Sequence, residues 1–276
     1  MDFENVLTLI QKELRDAFRN RWFLLYAIAF AGLSLALAWF SVSGAGSYGV
    51  AGFGRTTAGL INLILLIVPL MGLTLGALSL AGEREKGTLI YLLAQPISSG
   101  ELLLGKFVGL ALALTAALLI GFGLTGVMMA VAGGGGDFGI YLTLLVLSVL
   151  LAIVSLSLGL LISAAGRRAA TAVGLALFLW LVLVYFGDLG LMGTAMVVQM
   201  DVGQLLTLAL VNPLQVFKIA AVLNLRDNLE VLGPAGIYAF RTYGGALWPL
   251  LVGLLLAWAA VPLALSLRVF RGRGVL

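Results

Sequence analysis

Six long stretches without a charged side chain divide this sequence, and each is about as long as a helix that crosses a bilayer. Crossing the hydrocarbon core takes about 20 apolar residues in a helix. The stretches are Trp22–Val42, Thr57–Gly82, Phe107–Ala132, Ile140–Ala165, Ala169–Gly187 and Gly244–Leu267. Their apolar residues show no sustained alternation, which argues against barrel strands. We therefore predict an all-α integral membrane protein with six transmembrane helices.

Composition supports this class. The chain is 62% hydrophobic and 10% charged, whereas soluble domains carry roughly a quarter charged residues. It contains no Cys and no His, which excludes disulfides, thiolate metal sites, imidazole bases and every catalytic arrangement built on them. Large soluble catalytic units are also excluded, because no extramembrane segment is long enough to form one.

The basic residues indicate the topology. With six spans, twelve of the sixteen Lys and Arg residues fall on one side of the membrane. They are Lys12, Arg15, Arg19, Arg21, Arg84, Lys86, Lys106, Arg167, Arg168, Arg268, Arg271 and Arg273. Cytoplasmic loops of membrane proteins carry such an excess of basic residues. We therefore expect both termini in the cytoplasm and the protein in the cell inner (cytoplasmic) membrane, multi-pass.

The first 21 residues have the pattern of an amphipathic helix. Apolar residues from Phe3 to Phe18 recur at helical spacing, and charged residues occupy the opposite face. Such a helix lies in the membrane interface. We predict an interfacial helix over 1–21 that includes Lys12, Glu13, Leu14, Arg19 and Arg21. Two compatible roles remain open, a simple anchor and a lever leading into the first span.

The segment 188–243 is expected to be extracytoplasmic. Its apolar runs, Leu189–Met200 and Val202–Val211, are too short to cross a bilayer alone. These runs and the break at Asn212-Pro213 favour short helices on or above the outer face.

Three methionines within this segment form a candidate copper site. Met192, Met196 and Met200 are spaced to lie on one helix face, and thioethers bind Cu(I). Adaptable apolar packing is the more common role of such residues. No other metal site is expected.

The connection after the second span, residues 83–105, is expected to be cytoplasmic. Charged residues directly after a span are ordinary, but Thr88–Ala94 is a short, mostly apolar, helix-competent run closed by Pro96. An apolar helix in water requires a partner surface. This segment predicts that a soluble cytoplasmic subunit docks here.

One stretch of this connection has the spacing of a nucleotide-binding motif but lacks a residue that the motif requires. Gly100 to Lys106 has the spacing of a phosphate-binding loop, but Phe107 occupies the position that needs Ser or Thr. A membrane span follows it and no strand precedes it, so the helix start lacks the usual setting for phosphate. We expect no ATP site and no enzyme activity in this chain. The spans also lack ionisable residues in their interiors, which argues against an ion-coupled carrier.

The same connection resembles the permease subunits of ABC-2 type transporters. The matching elements are Glu83, Glu85, Gly87, Thr88 and Leu89, then Leu92, Leu93 and Pro96, then Leu104, Gly105 and Lys106, with Lys12, Glu13 and Leu14 near the N-terminus. Members often carry Arg after the Pro, whereas Ser98 and Ser99 stand here. The resemblance implies one transmembrane permease domain over 1–276, a second copy of the chain, and a separate cytoplasmic ABC ATPase that binds ATP and Mg. It also implies coupling to that ATPase through Glu83, Arg84, Glu85, Gly87, Thr88, Leu89, Leu92, Leu93 and Pro96.

A narrower resemblance is to NosY-type permeases, which act with an ATPase and a periplasmic partner in maturing the copper sites of nitrous oxide reductase. It is carried by Arg19-Asn20-Arg21-Trp22, by Leu102 to Phe107 and by Asn212-Pro213. Two alternatives stay open: a general exporter of a hydrophobic or lipid-like substrate, and a membrane anchor or scaffold for a periplasmic partner. An enzyme acting on lipid would have to use the outer carboxylates Asp137, Asp188, Asp201, Asp227 and Glu230, without His.

Overall fold

Helices account for all the regular structure that the computed structural model describes, over residues 3–48, 53–131, 138–197, 201–224, 238–239 and 241–273. In chain order they are α1 (Phe3–Arg19), α2 (Arg21–Tyr48), α3 (Phe53–Glu85), α4 (Thr88–Leu93), α5 (Ser99–Val131), α6 (Phe138–Ala165), α7 (Ala169–Val197), α8 (Val202–Leu210), α9 (Pro213–Asn224) and, after a 3-10 turn at Gly244–Ala246, α10 (Leu247–Arg273).

The six expected spans are present as helices, and the bent pair α8–α9 would make up to seven if it counted as one span. Within the described residues, α2, α3, α5, α6, α7 and α10 are each long and apolar enough to cross a membrane. Among them α3 and α6 are the most buried, and α2 and α7 bury the smallest shares of their residues. Exposed apolar helix surface of this extent suits contact with lipid, because a helix satisfies its own backbone hydrogen bonds there.

Close packing of α3 on α6 forms the centre of the bundle. A Cβ atom at Gly76 would lie 2.6 Å from the carbonyl oxygen of Leu156, and one at Gly159 would overlap the carbonyl oxygen of Leu73. Gly72, one turn before Gly76, meets Ser155 in the same way. Small residues at four-residue spacing let membrane helices approach to backbone contact. The glycines therefore decide how near these two helices can lie.

The segment between α7 and α10 differs from the surface position that the sequence favours. α8 and α9 meet at Asn212 with a bend of 111°, and α9 is buried, in contact with α6 and α10. The Asn212 side chain donates to Leu183 O in α7, and Asn224 donates to Ile140 O near the start of α6.

The rise per residue of a helix shows how far along the bundle the ends of α9 lie. At 1.5 Å per residue, Leu183 is about 21 Å along α7 from Ala169, and Ile140 is about 37 Å along α6 from Ala165. Helix α9 thus enters the half of the bundle far from the α6–α7 connection. Its apolar side chains can be buried there, whereas a surface helix would expose them to water.

One end of the bundle gathers most of the extramembrane elements. α1 meets the last turn of α3 there, and Arg271 near the end of α10 lies beside Gly100 at the start of α5. The α6–α7 connection also contacts the last turn of α3. This end, which carries α4, is called the α4 end below.

Candidate functional site

The junction between α3 and α4 is a tight turn that depends on glycine. Gly87 has a φ of +73°, a left-handed conformation that side chains rarely adopt. Its N–H donates to Arg84 O at 3.1 Å, and the Thr88 hydroxyl donates to Glu83 O at 3.2 Å. Thus α4 leaves α3 through two hydrogen bonds and one glycine.

Helix α4 has an inner and an outer face. Leu89 is buried at 2% exposure, and Leu92 and Leu93 pack against the core. Ile90 and Tyr91 are 59% and 78% exposed. The predicted short apolar helix is therefore present, held to the bundle on one side and presenting two large apolar side chains on the other.

A cluster of ion pairs joins α1, α3 and α5 at this end. Lys106 on α5 is 1% exposed and contacts Glu13 on α1 at 2.7 Å and Glu83 on α3 at 2.8 Å. Lys12 contacts the same two carboxylates at 3.0 and 2.9 Å, and Asp16 at 3.5 Å. We refer to Lys12, Glu13, Asp16, Glu83 and Lys106 as the ion cluster. It connects three helices that are far apart along the chain.

Two glycines on α5 make the ion cluster possible. A Cβ atom at Gly105 would lie 2.6 Å from the Cβ of Leu9, and one at Gly109 would lie 2.7 Å from the Cβ of Glu13. Their four-residue spacing leaves a shallow groove on α5 into which α1 packs. Because α1 lies this close to α5, the side chain of Glu13 reaches Lys106.

Electrostatics within the cluster favours the charged forms. Burial alone would raise the pKa of the Glu13 carboxyl, but the ammonium groups of Lys106 and Lys12 outweigh burial and hold that pKa below its ordinary value. Burial alone would lower the pKa of Lys12, and Glu13 and Glu83 outweigh it, so the pKa of Lys12 is raised. One oxygen, Oε2 of Glu83, is buried without a hydrogen-bond partner in the described part of the chain.

These shifts predict how stability depends on pH. Glu13, with its lowered pKa, contributes stability that is complete above its ordinary value of 4.5 and is lost as the pH falls below it. Lys12, with its raised pKa, contributes stability that is complete below 10.5 and is lost at higher pH. We expect the difference in unfolding temperature between wild type and Glu13→Gln to shrink between about pH 5 and about pH 3.

Thermal unfolding in detergent micelles measures this difference. Asp16→Asn is the matched control, because the Asp16 side chain is 55% exposed and meets Lys12 only at 3.5 Å. A difference between wild type and Glu13→Gln that stays constant down to about pH 3 would contradict the prediction.

The other side of the α3 terminus is tied to the α6–α7 connection. Arg84 donates to Gly166 O, and a Glu85 carboxylate oxygen accepts from the N–H of Ala169 at 2.6 Å. Ala169 begins α7, where a carboxylate is stabilised by the free N–H groups and the helix dipole. Three consecutive residues, Glu83 to Glu85, thus contact both flanking parts of the bundle.

Ser98, which follows Pro96 by two residues, defines the start of α5. Ser98 Oγ accepts from the N–H of Glu101 at 3.2 Å, and a Glu101 carboxylate oxygen accepts from the N–H of Ser98 at 2.9 Å. This reciprocal pair is a capping box. It starts α5 directly after α4, so the connection between the two helices is short and ordered.

A groove of about 950 Å³ opens between α1 and the α3–α4 turn. Its floor includes Leu75, Leu78 and Leu110, and its rim includes Arg19 and Lys86. Solvent therefore reaches the edge of the ion cluster from one side.

The structure brings together most of the residues that the sequence nominated separately. All of the nominated coupling residues lie at the α4 end, and Lys12, Glu13 and Leu14 pack beside them. Lys106 stands directly before a predicted span, a position typical of a topology marker. In the structure it is the buried centre of the ion cluster. The sequence contains one signal for this role. A basic residue stands at the start of a span, beside Gly105 and close to Gly109, and small residues at this spacing allow another helix to pack closely.

The candidate residues of the predicted outer side are not brought together in the described part of the chain. The side chains of Met192 and Met196, and Met200 as a whole, lie outside the described residues, as do Asp137, Asp227, Glu230 and the side chain of Asp188. Asp201 caps α8 by accepting from the N–H of Gly203. Among the described residues, no group of three or more His, Cys, Asp or Glu is arranged to hold a metal ion.

Comparisons with known proteins point to one family. A family model described as ABC-2 family transporter protein matches residues 7–275. The probable ABC transporter permease protein NosY of Stutzerimonas stutzeri is 32% identical over 275 residues, covering 97% of this chain and 98% of that protein. Its namesake in Pseudomonas aeruginosa is 34% identical over 283 residues, covering 98% and 99%.

Proposed function

Because the chain belongs to the ABC-2 family of transporter proteins, we propose that a separate cytoplasmic ATPase drives it by docking on α4. The chain is a NosY-like permease subunit, a multi-pass membrane protein of an ABC transporter. ATP and Mg bind the ATPase subunit, and this chain supplies the moving membrane part. A second copy of the chain completes the transporter.

The observation that carries the proposal is the construction of the α3–α4 junction. Ile90 and Tyr91 are largely exposed, with Tyr91 at the edge of the groove beside α1, while the residues just before α4 contact three different parts of the bundle. Glu83 reaches α1 and α5, and Glu85 reaches the start of α7. Movement of α4 by a docked partner would therefore be passed to several helices at once.

The charge distribution supports the orientation. The α4 end carries Lys12, Lys86 and Lys106, together with the arginines of the α6–α7 connection and of the end of α10. This excess of basic residues belongs on the cytoplasmic side of the inner membrane, where ATP is available. Helix α8, which exposes Leu208 and is followed by the exposed Val211, then faces the periplasm, where it offers a surface to a periplasmic partner.

Substitution of Tyr91 by Asp should weaken ATPase binding by about thirtyfold, because loss of a central aromatic anchor typically costs about 2 kcal/mol or more. Tyr91 is 78% exposed, so the folded permease should tolerate the change. Co-purification of the cognate ATPase with tagged permease, titrated by ATPase concentration, measures the effect. Gln11→Asp, on the exposed face of α1, is the matched control. Undiminished ATPase binding by Tyr91→Asp would refute docking on α4.

The similarity to two NosY proteins favours a narrower role. We propose that the transporter acts in maturing the copper sites of nitrous oxide reductase, with an outer-face partner. Expressed with its cognate ATPase and periplasmic partner in a host lacking its own permease, the chain should restore copper content and nitrous oxide reduction.

The alternatives predict different results in that host. A general exporter of a hydrophobic or lipid-like substrate would leave the reductase without its copper. A scaffold for the periplasmic partner would restore the reductase even when the ATPase cannot hydrolyse ATP. Restoration that requires hydrolysis separates the proposal from both.

A further inference from the structure

Ser163 on α6 forms an unusual set of hydrogen bonds with the backbone of α3. Its hydroxyl oxygen accepts from the N–H groups of Leu80 at 3.0 Å and Ala81 at 2.8 Å, and its proton is donated to Ala77 O at 2.7 Å. Ser163 is fully buried. A side chain of one helix thus shares hydrogen bonds with three backbone groups of another.

The second half of this arrangement lies on α3 itself. In a regular helix the N–H of Leu80 would bond to Gly76 O and that of Ala81 to Ala77 O. The hydroxyl of Ser79 donates to Gly76 O at 2.9 Å, and Ser163 donates to Ala77 O. Every group of these two successive ladder bonds therefore has a hydroxyl partner.

The close approach of the two helices permits these hydrogen bonds. Gly159 lies one turn before Ser163 on α6 and packs on the backbone of α3 between Leu73 and Ala77. Other buried serines of α6 act as donors to carbonyl oxygens: Ser148 and Ser155 donate within their own helix, and Ser157 donates to Val154 O and to Trp258 O of α10. The bonding of Ser163 is therefore specific to its position.

These hydrogen bonds lie just before the part of α3 that carries Glu83, Arg84 and Glu85. A side chain inserted into the ladder is one of the known causes of helix bending. From this geometry we infer that Ser163 is a positioning residue: together with Ser79 it forms a hinge in α3. On the N-terminal side of the hinge, α3 packs rigidly on α6. On the C-terminal side, the last turn of α3 swings with α4.

This inference rests on the proposed function, because the swing is driven by the ATPase. When the last turn changes direction, a backbone N–H can exchange its carbonyl partner for the hydroxyl of Ser163. No backbone group is then left unpaired in the membrane, where an unpaired group is costly. Ala at position 163 removes the exchange partner, and the two N–H groups then have only the carbonyl oxygens of α3. The last turn is fixed in line with the span.

The test measures the swing in the assembled transporter. The chain has no native Cys, so spin labels can be placed at Lys86→Cys, below the hinge, and at the exposed Val146→Cys on α6. In the complete complex, wild type and the Ser148→Ala control should show a label distance that differs between nucleotide-free and ATP-bound states. Ser163→Ala should lose this difference while the ATPase still binds and hydrolyses ATP, and Ser163→Thr should restore it.

Each outcome decides between the two ideas. An undiminished distance change in Ser163→Ala overturns the hinge and leaves the proposed function intact. No distance change in wild type, with the ATPase bound, overturns the proposed function and the hinge with it. If Ser163→Ala does not fold, Ser79→Ala decides, because it removes one hydroxyl from a half-buried position; an undiminished distance change there overturns the hinge.

Discussion

Replacement of Lys106 by Met is expected to lower the free energy of unfolding by about 3–5 kcal/mol, the usual cost of removing one partner from a buried ion pair. Lys106 is 1% exposed and contacts the carboxylates of Glu13 and Glu83 at 2.7 and 2.8 Å. Without it the two carboxylates repel each other beside a single remaining ammonium group, that of Lys12. The α1 helix should then separate from α5.

Unfolding of the purified protein in detergent micelles, followed by denaturant titration, measures this effect. Lys86→Met is the matched control, because Lys86 is exposed and forms no ion pair within the described residues. Adding Glu83→Gln to Lys106→Met should recover part of the loss by removing one unpaired charge. A loss below about 1 kcal/mol, the range of an exposed pair, would show that the cluster is solvated rather than buried.

Replacement of Gly159 by Ala is expected to lower the free energy of unfolding by about 1–3 kcal/mol, the usual cost of overpacking. The new Cβ would overlap the carbonyl oxygen of Leu73 and approach Gly76 Cα at 3.0 Å. Backbone atoms cannot rotate away as side chains do, so α3 and α6 must move apart. The hydrogen bonds of Ser163 to α3 should weaken in the same variant.

The same unfolding measurement, with Gly174→Ala as the control, tests this prediction. Gly174 lies in α7, where a Cβ would meet nothing within 4 Å, so Ala there should be neutral or slightly stabilising. Equal stability of the Gly159 and Gly174 variants would contradict backbone contact between α3 and α6.

The spans could be predicted because their signal is local. A run of apolar residues determines a membrane helix without reference to its neighbours, and all six predicted spans are helices in the structure. The short helix before Pro96 could be predicted for the same reason. Its inner and outer faces could not, because six residues do not indicate which side meets the bundle.

The ion cluster depends on contacts that no local pattern contains. Lys12 and Glu83 are 71 positions apart, and Glu13 and Lys106 are 93 positions apart. The sequence shows three separate charged motifs, one within an amphipathic helix and two beside the ends of predicted spans, and none indicates the others. Packing of α1 into the glycine groove of α5 brings them together and removes Lys106 from water.

The sequence by itself determined that this protein is a bundle of six membrane helices with a short apolar helix after the second. Hydrophobicity and helix length are properties of single segments, so they can be read without a fold. The tertiary structure decided that Ser163 bonds to the backbone of α3, that α9 enters the bundle, and that the three charged motifs form one cluster. Each depends on how closely two helices pack, and that distance is a property of the pair.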